Sequence, residues 1–316
     1  MNPLQLKASK LFALWGMSLI VAAVPAQHEL DALFGFEAGT AKIMQPAVQP
    51  VRQMSHPPGL YLSDVGLDFF TPDGWSQPML QECRVLGVYI SPNLTGSKTG
   101  VGNLFCSDGC DNYFDLPYAG TPHHHLKFTA PDVPAVYVWD IKAVNAVDYL
   151  GNPLNDMPNV YRYYMVAGTP NKIRGSVSTA PQFVGDLGKL MLRVELRTGG
   201  SIVASQEQPV CSGIAVYPYM VGFTQSGTYD VVAKLSKHLS VRLTGIALTE
   251  NTLIDWEFPY LGDLDGDDSI GLGDLNSVLI HFGTSNDAGD VNGDGTVALD
   301  DLNIVLLNFG RSGQGH

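Results

Sequence analysis

The chain is predicted to be mainly β: two consecutive β-sandwich domains followed by a small all-α unit. Three observations predict this. Short runs of β-branched, aromatic and aliphatic residues, punctuated by Gly, Pro, Asn and Asp clusters, fill residues 59–260. Helical periodicity is almost absent before residue 272. From Gly262 to Gly310 the sequence then reads twice at an offset of 27, each copy ending in a short apolar helix pattern.

A length of 316 residues suits two or three domains, and 45% hydrophobic against 16% charged residues fits a folded chain. The net charge of −13 is concentrated near the end: from residue 262 onward ten Asp face a single Arg311, leaving about −4 upstream. The acidity therefore belongs to a cation site, and with no basic stripe to neutralise phosphates, nucleic acid is excluded as a partner.

Taken in order, residues 1–26 read as a secretory signal peptide: Lys7 and Lys10, the apolar run Leu11 to Val24, then Val24-Pro25-Ala26 before the expected cut. No other run is long enough to span a membrane, so a secreted, extracellular or cell-surface chain is expected. Residues 27–58, with Pro46, Pro50, Pro57 and Pro58, read as an extended approach segment.

Residues 59–171 form the first predicted sandwich. Its strand runs are Tyr61 to Phe70, Cys83 to Ile90, His125 to Thr129, Ala135 to Ile141 and Val160 to Val166. Residues 172–260 form the second. From Lys189 to Arg197 the even positions are apolar and the odd ones mostly charged, so one face is buried and the other wet. Gly199-Gly200 turns the chain, and Gly227 to Lys234 and Val241 to Leu248 continue the meander. Of four cysteines, Cys106 and Cys110 close a small loop and are the expected disulfide, with Cys83 and Cys211 left open.

Residues 261–316 carry the chemistry. Oxygen side chains stand at positions one, three, five and twelve of two twelve-residue loops: Asp263, Asp265, Asp267 and Asp274, then Asp290, Asn292, Asp294 and Asp301. That spacing lets a curled loop converge oxygens on one hard dication, so two calcium ions are expected. Position six wants a left-handed backbone, which Gly295 adopts freely; Asp268 stands there in the first copy. Leu275, Val278, Leu279 and Phe282, and likewise Leu302, Val305, Leu306 and Phe309, fall at i, i+3, i+4 and i+7 and read as buried stripes. Ile270 and Val297, at position eight, are placed to pair the loops, and Gly283 and Gly310 to cap the helices. So small a core is marginal alone, and chelation is expected to unfold residues 262–310 while leaving the sandwiches intact.

Neither loop has an entering helix: Trp256 to Leu261 contains a proline, and only six residues separate Gly283 from Asp290. A duplicated loop plus exit helix resembles the dockerin type I modules of secreted bacterial proteins. The resemblance covers about the last 50 residues, with about half the positions of the copies identical. It implies side-chain ligation by the eight residues above, with the carbonyls of Ser269 and Thr296 at position seven. It also implies a cohesin-like protein or cell-surface component as partner, chosen at positions ten and eleven. Leu272-Gly273 and Leu299-Asp300 stand there, where that family often has Ser-Thr. Residues 172–260 are similar to carboxypeptidase-regulatory-like or Cna-B-like sandwiches, which implies a non-catalytic spacer.

The expected function is therefore secreted, non-catalytic assembly, adhesion or scaffolding. Because dockerins commonly travel with glycoside hydrolases, the alternative is a polysaccharide-degradation component, hydrolysing O-glycosyl bonds or binding sugar through residues 59–171. No catalytic motif selects residues for that chemistry. Trp139, Tyr161, Tyr163, Tyr164, Tyr217 and Tyr219 are weighed as a sugar platform against sandwich core. His123-His124-His125 reads as a strand-edge run in which only His123 and His125 share a face, with no nearby carboxylate motif to complete a metal site.

Overall fold

The computed structural model describes residues 31–46, 51–117, 123–212 and 217–315, and it is mainly β with a small helical end. The signal peptide expected at residues 1–26 lies outside the described residues. Among the described residues no helix is long and apolar enough to cross a membrane.

The first unit contains β1 (Ala32–Glu37), β2 (Thr40–Gln45), β3 (Val51–Gln53), β4 (Leu60–Phe69) and β5 (Leu80–Ile90). It continues with β6 (Thr95–Lys98), β7 (Gly102–Phe105), β8 (Tyr113–Pro117), β9 (His124–Pro131), β10 (Ala135–Asp148) and β11 (Tyr161–Ala167). A six-stranded sheet, β2-β1-β4-β9-β6-β7, packs on a five-stranded one, β3-β11-β10-β5-β8. Phe34, Leu67 and Phe128 meet Val85, Trp139 and Tyr163 between them.

The expected approach segment is corrected here. From Ala32 onward it is part of the sandwich: β1 lies parallel to β4, β2 pairs with β1, and β3 lies parallel to β11. The prolines do not prevent this, because Pro46 follows β2 and Pro57 and Pro58 precede β4, outside the ladders.

The second unit contains β12 (Asn171–Gly175), β13 (Val177–Thr179), β14 (Met191–Thr198), β15 (Ser201–Pro209), β16 (Tyr219–Phe223) and β17 (Gly227–Leu235). It ends with β18 (Lys237–His238), β19 (Val241–Leu248), β20 (Thr252–Leu253), β21 (Trp256–Phe258) and β22 (Leu261–Asp263). The sheet β15-β14-β17-β19 covers the smaller β16-β12-β20 and β13-β21 sheets. Leu190, Leu192, Val194 and Leu196 point inward, as the alternation requires. Glu195 on the other face is nevertheless buried, because Arg193 and Arg197 pair with it at 2.9 and 2.6 Å and Arg197 also donates to the Gly315 carbonyl.

Both faces of β10 and β11 are buried. Their outward residues Val136, Val138, Tyr164 and Val166 pack on Met220 of β16. Within this contact Arg162, fully buried, forks onto Asp140 at 2.7 and 2.6 Å and donates to the Pro218 carbonyl.

The helices are α1 (Leu272–His281) and α2 (Leu299–Asn308), each beginning three residues before the apolar pattern suggested. Gly283 and Gly310 follow with φ of 78° and 79°, the left-handed turn expected of helix ends. Their core is not self-contained: Ala180 and Leu239 of the second sandwich join Leu261, Ile270, Val278, Val291, Val297, Ile304 and Val305. The stripes are narrower than expected. Val278 and Val305 are fully buried, whereas Leu279, Phe282, Leu306 and Phe309 are exposed. Each helix is only 10 residues long and turns one narrow face to this shared core, so the flanks of each stripe stay in solvent.

Candidate metal centre

In the first loop, carboxylate oxygens of Asp263, Asp265 and Asp267 lie within 4.8 Å of one another. Backbone amides hold them there. Asp263 accepts from Gly266 at 2.8 Å and Asp268 at 3.0 Å, Asp265 from Asp267 at 3.2 Å, and Asp267 from Ser269 at 2.8 Å. Asp274 closes the loop. Its Oδ1 accepts from Leu264 and Asp265 at 2.6 and 3.3 Å, while Oδ2 takes the Gly271 amide at 2.7 Å at the start of α1. One carboxylate therefore ties the loop's entrance to its exit and caps the helix that follows.

The second loop repeats the cage. Asp290 accepts from Gly293 and Gly295 at 2.8 and 2.9 Å, Asn292 Oδ1 from Asp294 at 2.9 Å, and Asp294 from Thr296 at 2.8 Å. Asp301 takes Val291, Asn292 and Ala298 at 2.7, 3.1 and 2.8 Å. Every one of these bonds has its counterpart 27 residues earlier.

The donor set fits a hard dication. All these side chains offer oxygen, and Asp263, Asp274, Asp290, Asn292 and Asp301 are buried within residues 262–310, a stretch that contains no Lys or Arg. Burial pushes the Asp263 carboxyl above its ordinary value, against the pairing with Lys234 and the Gly266 amide, which favour the charged form.

Ile270 and Val297 are buried in one cluster, as their placement suggests, but among the described residues their backbones do not bond to each other. Instead Ile270 accepts from Gly310 and donates to Arg311 (2.8 Å each), while Val297 accepts from Gly283 at 2.9 Å and donates to Thr284 at 2.8 Å. Each loop is clamped to the chain leaving the other loop's helix, so the repeats interlock.

The second sandwich also reaches both loops, through residues the loop spacing could not reveal. Asp268 takes φ of 68° at position six, and its carboxylate accepts the Ser240 amide and hydroxyl at 2.7 and 2.5 Å and the Gly315 amide at 3.3 Å. Burial opposes its ionisation, but these donors and Lys234 outweigh burial and hold its carboxyl below the ordinary range. Lys234 pairs with Asp263 and donates to the His238 carbonyl. Lys237 donates to Asp287 at 2.9 Å and to the Asp290 carbonyl at 2.6 Å. At the second loop the Asn292 carbonyl accepts from Val184 and Gly185 at 2.9 and 3.2 Å. A Cβ on Gly185 would stand 2.7 Å from the Gly293 carbonyl, so glycine permits that approach.

The residues expected to choose a partner divide. Leu272 and Leu299 open the helices, 69% and 64% exposed. Gly273 and Asp300 instead face their own loops: the Asp265 carboxylate lies over Gly273, and Asp300 accepts from Asn292 Nδ2 at 2.7 Å. Ile280 and Leu307, 75% and 68% exposed, extend the apolar surface and were missed by a pattern search aimed at core. Leu279, Phe282, Leu306 and Phe309 complete it.

Elsewhere, Cys106 and Cys110 are joined by a disulfide, while Cys83 and Cys211 are buried in different parts of the fold. Of the six aromatics weighed as a sugar platform, Trp139, Tyr161, Tyr163, Tyr164 and Tyr219 are buried core residues, and Tyr217 is half-buried with the Arg174 guanidinium over its ring. His123 and His125 do share a face, with ring centroids 4.4 Å apart. Contrary to the sequence reading, β4 supplies carboxylates: Asp64 lies 2.7 Å from His125 Nδ1 and Asp68 3.4 Å from His123 Nδ1. The alternation of β4 puts Asp64 and Asp68 on one face, towards His125 of β9 and His123 just before that strand.

No family model matches the sequence, and no curated protein matches it. Among solved structures, the chain is similar to a type II cohesin–X-dockerin complex mutant from Acetivibrio cellulolyticus. That match has 20% identity, covers 46% of this chain and 99% of the other, and has a TM-score of 0.37. The TIE protein of Bacillus anthracis matches at 7% identity over 67% of this chain and 39% of the other, with a TM-score of 0.23. Domains D2 and D3 of the major pilin SpaD from Corynebacterium diphtheriae match at 9% identity over 63% and 93%, with a TM-score of 0.19.

Proposed function

We propose that the C-terminal unit binds two calcium ions and presents the apolar faces of α1 and α2 to an extracellular, cohesin-like protein partner. The two sandwiches are then non-catalytic modules carried to that partner, and the chain acts in secreted or surface assembly. The observation that carries this reading is duplication of two things at once. The hydrogen-bonded cages match bond for bond, and the exposed residues match too: Leu272 with Leu299, Leu279 with Leu306, Ile280 with Leu307 and Phe282 with Phe309. Acidic loops whose first and last carboxylates are buried favour a cation, and an apolar surface repeated with them favours a protein partner.

Asp263, Asp265, Asp267, Asp274 and the Ser269 carbonyl would hold one ion, and Asp290, Asn292, Asp294, Asp301 and the Thr296 carbonyl the other. Calcium would supply charge neutralisation and fix each loop against its exit helix. The test is calorimetric titration of the chelator-stripped chain, followed by capture from the producing organism's secreted fraction. Two ions per chain are expected, with capture lost in Asp263→Ala/Asp290→Ala. Ile280→Asp/Leu307→Asp should lose capture while still binding both ions. A partner retained by the calcium-ligand double variant would refute docking through this unit.

A further inference from the structure

The two loops differ in ligand charge. The first offers four carboxylates, Asp263, Asp265, Asp267 and Asp274, whereas the second offers Asp290, Asp294 and Asp301 with neutral Asn292 at position three. Calcium affinity in such loops is tuned by ligand charge and rigidity, so similar cages should favour the first.

The surroundings work against that difference. The Lys234 ammonium pairs with the Asp263 carboxylate and lies 3.6 Å from Asp268 Oδ1. It also donates to the His238 carbonyl, and its side chain is only 14% exposed, so it is anchored beside the loop on β17 rather than free to retreat into solvent. Lys237, its counterpart at the second loop, differs in kind. It spends its charge on Asp287, which is not a ligand, and touches Asp290 through the backbone carbonyl; the Asp290 carboxylate is held by the Gly293 and Gly295 amides.

We propose that Lys234 is an affinity-setting residue of the first calcium loop, a fixed counter-charge from the second sandwich that weakens calcium binding there. The proposal rests on the calcium reading above. A cation held a few ångströms from a dication site repels the ion and stabilises the loop without metal. Both effects lower affinity, and a partly buried ammonium is little screened by salt. Lys234 is a positioning and charge-setting residue, not a ligand, because an ammonium has no lone pair to give.

The test uses the full chain carrying Asp290→Ala, so that titration reports the first loop alone. Lys234→Met should tighten calcium binding by about tenfold or more, and Lys234→Arg, which keeps the charge, should stay within about threefold of the parent. A lysine serving only to hold the loop in shape would give the opposite sign for Lys234→Met. Equal or weaker binding by Lys234→Met, and by Lys234→Gln as a second neutral variant, overturns the proposal. If the unmutated chain binds two ions while the neutral variants do not tighten, the inference alone falls. If the unmutated chain binds none, the calcium reading falls with it.

Discussion

The Asp268 carboxylate accepts both the amide and the hydroxyl of Ser240, joining the first loop to the second sandwich across a sequence separation of 28. By backbone preference alone, position six calls for glycine, since φ there is 68°. The second copy has Gly295 at that position, with φ of 93°. The first copy accepts the backbone cost and uses the carboxylate to dock on its neighbour.

Asp268→Gly sets these two effects against each other. Relief of the left-handed backbone is worth about 1 kcal/mol, whereas losing hydrogen bonds to a partly buried charge costs about 1.5–3 kcal/mol. A net loss of about 1 kcal/mol is expected, read as a lower midpoint in thermal unfolding at saturating calcium. A variant more stable than the parent would show that the Ser240 contact contributes little.

That residue also shows where the sequence was legible. The oxygen-bearing loop residues were readable because their cages are local: every amide bond to Asp263, Asp265, Asp267 and Asp274 comes from within the loop itself. Much of the β architecture was readable too, from alternation in β14 and from Gly199-Gly200 at its end. Ser240, Lys234 and Gly185 were not, because they lie far from the loops in sequence and no spacing rule connects them. Strands β1 to β3 were hidden by prolines that fall between ladders rather than in them. The outer apolar residues of the helices were misread because periodicity identifies an apolar face without saying whether protein or solvent covers it.

Calcium removal should accordingly reach beyond the loops. Ala180, Phe183 and Leu239 pack with Val278, Val297 and Val305, and the Val184 and Gly185 amides bond to Asn292. Hydrogen exchange with and without chelator should show residues 180–185 and 237–240 losing protection together with α1 and α2. The Trp139 core of the first sandwich, which forms a separate buried cluster, should keep its protection. Protection lost only within residues 262–310 would show that the shared core does not couple the two parts.

The junction between the sandwiches makes a separate prediction. Arg162 and Asp140 are buried as a forked pair whose remaining donors reach Pro218 and Tyr164. Arg162→Met strands the Asp140 charge and should cost about 3–5 kcal/mol in denaturant unfolding. Asp140→Leu/Arg162→Met removes both charges and should recover most of that loss, to within about 1–2 kcal/mol of the parent. A double variant as unstable as the single one would mean that packing, and not the stranded charge, dominates.

The last prediction concerns acid. His238 sits between Phe183 and Phe258, with ring centroids at 5.8 and 6.1 Å, and its Nδ1 lies 2.8 Å from the Ser236 carbonyl. A carbonyl only accepts, so Nδ1 carries the proton and Nε2, buried without a partner, is the atom that must take a second. Burial first, and then the charges of Lys234 and Lys237, push its pKa down from 6.5 to about 4, against the bond to Ser236. The unfolded chain binds that proton at a higher pH than the folded one. This contribution to stability is therefore fully present above pH 6.5 and is lost as pH falls from 6.5 towards 4. The slope is up to about 1.4 kcal/mol per pH unit over that window. Subtracting the unfolding free energy of His238→Phe cancels the carboxylates, which titrate alike in both chains. The difference should fall through this window and level off below it. A difference that stays flat would mean that the folded chain protonates His238 without penalty, and that the ring is open to solvent.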